Sequence, residues 1–407
     1  MHWAVVMPDI LGQGGDREPR RWPRLAAAIA VLVLAAVVIV LHLPHGRRAP
    51  ASPRPALTAD PAPLPVSGPV AVGLAREPSG ISGPTRPWAA SLRLPVTGAQ
   101  PAWFWPATGR TEPIRGLPPD PSGYQFNRVG GGWAVQAVSG TRPGCGNCAG
   151  PPLPVYFLAD QARAATPVGL ANEVAPGASG TLWLTSYAAG ADLSSTAGLA
   201  REVRVTGAPA GAQLRLPAGY LIDRATDRGL LLAAAAQGPG AASFELWDPA
   251  TSRAGRAFTG VVAASAGEIA WTPRCAAVCQ VQVLDLGTGR QTTVTLPGVS
   301  SAASGAFSPD GSLLALEVSF YNGGDGGQLA TQLDVASAAS GRVTVVPGSW
   351  VSSDALAGFG WPAAGNTLIA ELSFTTTVQV ASWQPGTARL AVAAIRPGQN
   401  SASLIVG

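Results

Sequence analysis

The sequence predicts an all-β protein: a β-propeller, of seven four-stranded blades, preceded by one transmembrane helix and a proline-rich linker. Three observations lead there. A hairpin-like unit, apolar run, polar turn, apolar run, recurs about every 37 to 53 residues. An aromatic residue precedes most copies in a matching place. The 38 prolines and 50 glycines interrupt the chain often enough to favour short strands and turns over long helices.

Residues 1–24 read as a short cytoplasmic tail, and Leu25 to Leu43 as a transmembrane helix. LAAAIAVLVLAAVVIVLHL is apolar throughout except for His42, and shows none of the polar face a buried core helix would carry. At ~1.5 Å per residue its length is close to a bilayer core of ~30 Å. Arg17, Arg20, Arg21 and Arg24 precede it; Arg47, Arg48 and Arg54 follow. That near balance orients the helix only weakly, and the N-terminus is placed inside because the following segment reads as extracytoplasmic. A cleaved signal with a site at Ala49-Pro50-Ala51, and a twin-arginine signal at Arg20-Arg21, are the competing readings.

Residues 44–100 form the linker. PASPRPAL and DPAPLPVSGP favour extended polyproline II and bury little apolar surface. Such a stalk would hold residues 101–407, the propeller domain, away from the membrane.

Seven hairpin units are legible: Trp103 to Leu117, Val155 to Gly169, Arg201 to Pro217, Phe244 to Gly260, Val281 to Pro297, Thr331 to Gly348 and Val378 to Ile395. VQVLDLGTGRQTTVTLP is the clearest, with alternating apolar residues flanking a glycine-bearing turn. Trp133, Trp183, Tyr220, Trp271, Phe307 and Trp361 precede the units and read as aromatics packed between blades. With an inner strand carrying the aromatic and another strand ahead of the hairpin, each unit becomes four short antiparallel strands, the pattern of a propeller blade.

GAFSPDGSLLALEVSF, Gly305 to Phe320, resembles the repeat of WD-like and TolB-type bacterial propellers, in which a Phe/Trp-Ser-Pro-Asp-Gly turn joins two strands of one blade. Pro309 and Gly311 carry its turn chemistry. WTP at Trp271 to Pro273 and WPAAGNTLIAEL at Trp361 to Leu372 look like degenerate copies. The resemblance implies a propeller and no particular reaction. The terminal run Ser401 to Gly407, or the stretch near Trp88, is expected to complete the first blade and close the ring.

The cysteines are Cys145, Cys148, Cys275 and Cys279, each pair just ahead of a hairpin unit. Their repeated placement argues for two local disulfides, Cys145–Cys148 and Cys275–Cys279, fastening loops of an exported domain. A redox centre at Cys145-Gly-Asn-Cys148 and a zinc site of all four are the rivals.

All 27 basic residues are arginine, and they are scattered, so no basic stripe marks a nucleic-acid surface. The Ala, Gly, Pro and Arg bias is that of GC-rich codons and points to a bacterium such as an actinobacterium. The histidines are His2, His42 and His45, all outside the predicted propeller, which excludes a Ser-His-Asp triad or histidine-ligated metal within it. No catalytic, cofactor or metal residue is assigned. Glycine-rich Val129 to Gly132 reads as a turn, and Asn322 to Asp325 as a polar loop more readily than a calcium site.

The expectation is therefore a monomeric propeller domain held at the cell membrane by one helix. It would bind a protein or cell-envelope ligand on one face and need no cofactor. The alternative is a propeller glycoside hydrolase or lyase working through Asp and Glu at the channel mouth.

Overall fold

Alternation of apolar and polar residues, broken by glycine-bearing turns, makes short strands from Leu94 to Ile395. The structure, a computed structural model, describes residues 85 to 395 apart from 98–99, 120–122, 139–147, 161, 236–241, 276–277, 322–328, 350, 353–355, 363–365 and 374–377. The expected tail, transmembrane helix and most of the linker lie outside these residues, as do Cys145, Asn322 to Asp325 and Ser401 to Gly407. Among the described residues no helix is long and apolar enough to cross a membrane.

The strands form seven antiparallel sheets, the blades of a propeller. Blade 1 comprises β1 (Leu94–Val96), β2 (Ala102–Trp105) and β3 (Arg110–Pro113). Blade 2 comprises β4 (Tyr124–Val129), β5 (Gly132–Ala137), β6 (Leu153–Ala159) and β7 (Thr166–Ala171). Blade 3 has β8 (Glu173–Pro176), β9 (Thr181–Ser186), β10 (Leu199–Arg204) and β11 (Pro209–Arg215). Blade 4 has β12 (Tyr220–Thr226), β13 (Gly229–Ala234), β14 (Ser243–Asp248) and β15 (Arg253–Thr259). Blade 5 has β16 (Val261–Ala264), β17 (Glu268–Cys275), β18 (Val278–Asp285) and β19 (Gln291–Pro297). Blade 6 has β20 (Ser301–Phe307), β21 (Leu313–Tyr321), β22 (Leu329–Ser337) and β23 (Val343–Val345), with a short fifth strand, β24 (Val351–Ser352), on β22. Blade 7 has β25 (Leu356–Gly360), β26 (Leu368–Ser373), β27 (Val378–Trp383) and β28 (Ala391–Ile395). The seven hairpin units fall on β2 and β3 of blade 1 and on the third and fourth strands of blades 2 to 7.

The expected linker ends too late. β1 lies inside residues 44–100 and pairs with β2 from Leu94↔Phe104 to Val96↔Ala102. Leu94 and Val96 are buried with Ile369 and Val380 of blade 7, and Trp88 and Leu92 pack against the same cluster. The apolar side chains of Trp88, Leu92, Leu94 and Val96 bring the last residues of the segment into the fold.

Each blade meets the next through a separate apolar cluster. Blades 1 and 2 share Trp103, Ile114, Phe126 and Trp133. Blades 2 and 3 share Val129, Val155, Leu182 and Val203, and blades 3 and 4 share Trp183, Ala200, Leu230 and Trp247. Phe258 and Leu231 of blade 4 meet Ile269 and Trp271 of blade 5. Val281 and Val294 meet Leu314 and Leu316 across blades 5 and 6. Leu333 and Val335 meet Trp361 and Trp383 across blades 6 and 7. The cluster of Ile369, Val380, Leu94 and Phe104 joins the last blade to the first. The described sheets therefore form a closed ring, and each fully buried Leu, Val or Ile adds ~1.5–3 kcal/mol of apolar burial to one of its joints.

Candidate functional site

The first strands of neighbouring blades approach one another and so line the axis of the ring. β8 lies close to β12 and β16 to β20, while β12 and β16 stand further apart. A cavity of about 220 Å³ lies beside these strands. Its walls are Asp223 and Arg224 of β12, Val261 to Ala264 of β16, Gly305 to Phe307 of β20, and Phe244 and Ser265.

A β-bulge sets the chemistry of this cavity. On β12 the register shifts between Ile222, opposite Leu232, and Arg224, opposite Leu231, so Asp223 is the extra residue. The same shift recurs on β16 between Val261 and Ala263, on β20 between Ala302 and Ser304, and on β25 between Leu356 and Gly358. Aligned by the bulge, the dipeptide Asp223-Arg224 corresponds to Val262-Ala263, Ala303-Ser304 and Ala357-Gly358. Only blade 4 carries charges there.

Asp223 Oδ2 lies 4.0 Å from Arg224 Nε, and the side chains keep 38% and 36% of their surface accessible. Arg224 Nε is buried and makes no hydrogen bond among the described residues. Protein crowds both groups from the side while water reaches them through the cavity. Burial raises the Asp223 pKa, partly opposed by the Arg224 charge. It lowers that of Arg224, partly opposed by Asp223.

A second cavity, of about 180 Å³, lies between blades 5 and 6 and is lined by Glu268, Asp285, Arg290, Thr292, Asp310 and Ser312 among others. In an antiparallel blade the turn after the first strand and the turn after the third emerge at the same end, which brings these carboxylates together. Burial raises the Glu268 pKa; the hydrogen bond from Ser265 opposes this, and the charges of Asp285, Asp227 and Asp310 add to it. Asp310 and Asp285 cap turns. Asp310 Oδ1 accepts from Ser308 Oγ at 2.6 Å and from the N–H and Oγ of Ser312 at 3.1 and 2.8 Å. Asp285 Oδ1 accepts the Thr288 N–H at 2.9 Å. These hydrogen bonds hold both carboxyls below the ordinary range.

Ser265 stands between the two cavities. Its Oγ donates to the Glu268 carboxylate and accepts the N–H groups of Gly267 and Glu268 at 3.2 and 2.9 Å.

The Phe-Ser-Pro-Asp-Gly turn joins β20 to β21, and Gly311 adopts φ +70°. Trp361-Pro362 directly follow β25 in the equivalent place. WTP does not: Trp271 lies within β17, paired with Val261 and Gln282. Pro273, which has no N–H to give the ladder, falls where the β17–β18 register shifts. Blade 5 instead turns at Ser265 to Gly267.

The six aromatics occupy different strands. Trp133, Trp183 and Trp271 lie on second strands, Tyr220 opens and Phe307 ends a first strand, and Trp361 directly follows one. All six sit in or against the apolar clusters between blades. Trp361 Nε1 also donates to the Ala306 carbonyl at 2.9 Å, tying blade 7 to blade 6. Gly130 and Gly131 form the tight turn between β4 and β5, with Gly131 at φ +73°.

Cys275 and Cys279 form a disulfide across the β17–β18 hairpin. Cys148 is also disulfide-bonded; its expected partner, Cys145, lies outside the described residues. Cys148 sits in the connection from β5 to β6, bridged to Asp192 in the matching connection of blade 3. Among the described residues no group of three or more potential metal ligands gathers.

No protein-family model matches this chain, and no curated protein matches it by sequence. Solved structures resemble it in shape. TolB from Acinetobacter baumannii is 13% identical, with TM-score 0.38, over 66% of this chain and 65% of that one. A prolyl endopeptidase structure is 14% identical, with TM-score 0.49, over 80% of this chain and 50% of its own length. Hydrazine synthase of Kuenenia stuttgartiensis is 12% identical, with TM-score 0.39, over 60% of this chain and 80% of its own. The assignment of the fold rests on the strand pairings above: the described residues form an all-β, seven-bladed propeller.

Proposed function

We propose that this chain is a non-catalytic binding domain, held at the cell envelope by Leu25 to Leu43 with its propeller outside, and that its ligand enters the channel cavity beside β12. The observation that carries the binding reading is the Asp223-Arg224 pair, placed by a bulge into a cavity with otherwise largely apolar walls. Ligand sites commonly combine such walls with a few convergent polar groups. The apolar segment and the cysteine pairs support the envelope location.

Equilibrium dialysis of the full-length chain against an extract of envelope components, read by mass spectrometry, tests the binding reading. Retention of a component by the wild-type chain and its loss in Val262→Phe, which narrows the cavity, is the expected result. No retention, or retention unaffected by Val262→Phe, overturns it.

One observation favours a second reading, a glycoside hydrolase or lyase. Glu268 is pushed up and Asp285 and Asp310 down within one cavity, the separation an acid and a base require. Against it, Asp285 and Asp310 are already engaged in capping turns. Cleavage of cell-wall glycan by the wild-type chain, lost in Glu268→Gln, would establish this reading in place of the first.

A further inference from the structure

We infer that Arg224 anchors a small monoanionic carboxylate whose apolar body lies against Phe244 and Phe307 in the channel cavity. This rests on the reading of that cavity as the binding site and specifies its ligand class.

The repeat itself supplies the first argument. At the bulge of blades 5, 6 and 7 the chain places small or apolar residues, Val262-Ala263, Ala303-Ser304 and Ala357-Gly358. The fold therefore forms this bulge without a charge, and Asp223-Arg224 is an addition the backbone does not require.

Unused donor capacity is the second. A guanidinium carries five N–H donors in a planar fork matched to a carboxylate. Arg224 Nε is buried without a hydrogen bond, and the nearest carboxylate oxygen, on Asp223, is 4.0 Å away. The other polar wall residue, Ser265, already gives its proton to Glu268. Nε itself is closed to solvent, so an incoming carboxylate would meet the guanidinium at its exposed edge, the side chain keeping 36% of its surface accessible.

The choice of a monoanion follows from Asp223. A second negative charge on the ligand would be repelled by a carboxyl beside its anchor. The size of the ligand follows from the cavity, at about 220 Å³ smaller than the usual ~300–1,000 Å³ of a ligand pocket. A carboxylate on a single ring fits that space and its aromatic walls.

Calorimetric titration of the full-length chain with benzoate, benzyl alcohol and phenyl phosphate tests the assignment. Benzoate is expected to bind about tenfold to a hundredfold more tightly than benzyl alcohol, the range set by charged hydrogen bonds, and more tightly than phenyl phosphate. Arg224→Met and Arg224→Gln, each checked for native circular dichroism, should lose that preference, and Arg224→Lys should keep part of it. Equal binding of benzoate and benzyl alcohol, or benzoate binding unchanged in both folded variants, overturns the anchor. Tighter binding of phenyl phosphate overturns the monoanion. Absence of benzoate binding overturns the ligand class, while the dialysis experiment, which is blind to ligand charge, judges the cavity as a site separately.

Discussion

Arg224 Nε stands 4.0 Å from Asp223 Oδ2, at the limit of an ion pair and beyond hydrogen-bond reach. The two residues are sequence neighbours that a regular strand would point to opposite faces; the bulge at Asp223 lets them line one cavity. Arg224 Nε makes no hydrogen bond among the described residues. Arg224→Met should therefore shift the melting temperature by no more than ~2 °C in a calorimetric scan, as for a substitution within ±0.5 kcal/mol. A drop of ~6 °C or more would show that the pair holds the blades together.

Asp334 is a buried carboxyl on β22, and Gln332 Nε2 donates to its Oδ1 at 2.7 Å. Burial pushes its pKa up to about 6, from 3.8, and the hydrogen bond opposes that only in part. The folded chain thus holds this proton more tightly than the unfolded chain does. The site's contribution to stability is full below pH 3.8 and is lost as pH rises through about 6. Asp334→Asn keeps the acceptor and removes the ionisation. Urea denaturation should find it more stable than wild type at pH 7.5, by on the order of 1–3 kcal/mol, with the difference shrinking toward zero near pH 4. A destabilised variant at pH 7.5 would mean the charged form is the one the fold prefers.

Gly311 closes the β20–β21 turn at φ +70°, and a Cβ there would run into the Glu268 carboxylate. Gly311→Ala combines the left-handed penalty with that contact. A loss of ~1–2 kcal/mol or more is expected from the backbone alone. Chemical denaturation followed by tryptophan fluorescence measures it, and an unchanged midpoint would contradict the turn geometry.

Arg93, just ahead of β1, reaches into blade 2. Its Nε and Nη2 donate to the Asp160 carbonyl at 3.1 and 2.8 Å, Nη2 also donates to Ala162 at 3.1 Å, and the guanidinium lies 4.2 Å from the Trp103 ring centre. Arg93→Ala should cost about 1–3 kcal/mol. Hydrogen exchange should quicken first in β1 to β4, next to the joint where the ring closes; uniform exchange across all blades would argue against a local clamp.

Cys275–Cys279 closes a loop with a sequence separation of 4. So short a loop constrains the unfolded chain little. The double substitution to serine should cost on the order of 1–2 kcal/mol and leave the fold intact by circular dichroism. Loss of folding would assign the bridge a larger role than fastening one hairpin.

Much of this architecture was legible in the chain. Alternation in VQVLDLGTGRQTTVTLP became β18 and β19, with Gly289 at φ +72° in the turn between them. Gly311 and Pro309 marked a turn that the structure builds around Ser308 and Asp310. These signals are local: a strand has a side-chain period of two, and a left-handed turn position favours glycine. The WTP reading failed because a motif of three residues does not say whether it ends a strand or lies within one; the pairing of Trp271 with Val261 and Gln282 decided that.

The cavity was not legible. Asp223 stood among scattered carboxylates, and nothing near it in the sequence singled out Arg224. A signal existed in LIDRAT, a charged pair where blades 5, 6 and 7 carry small or apolar residues, but it emerges only once the bulges align the repeats. A bulge is a mismatch between two strands, so it depends on the partner's register as much as on the strand itself. The sequence alone determined the repeat, its hairpins and the turn residues between them, because each is fixed by contacts within a few residues. The tertiary structure decided how blade 7 meets blade 1 and which charges line the channel, because both depend on pairings between segments distant in the chain.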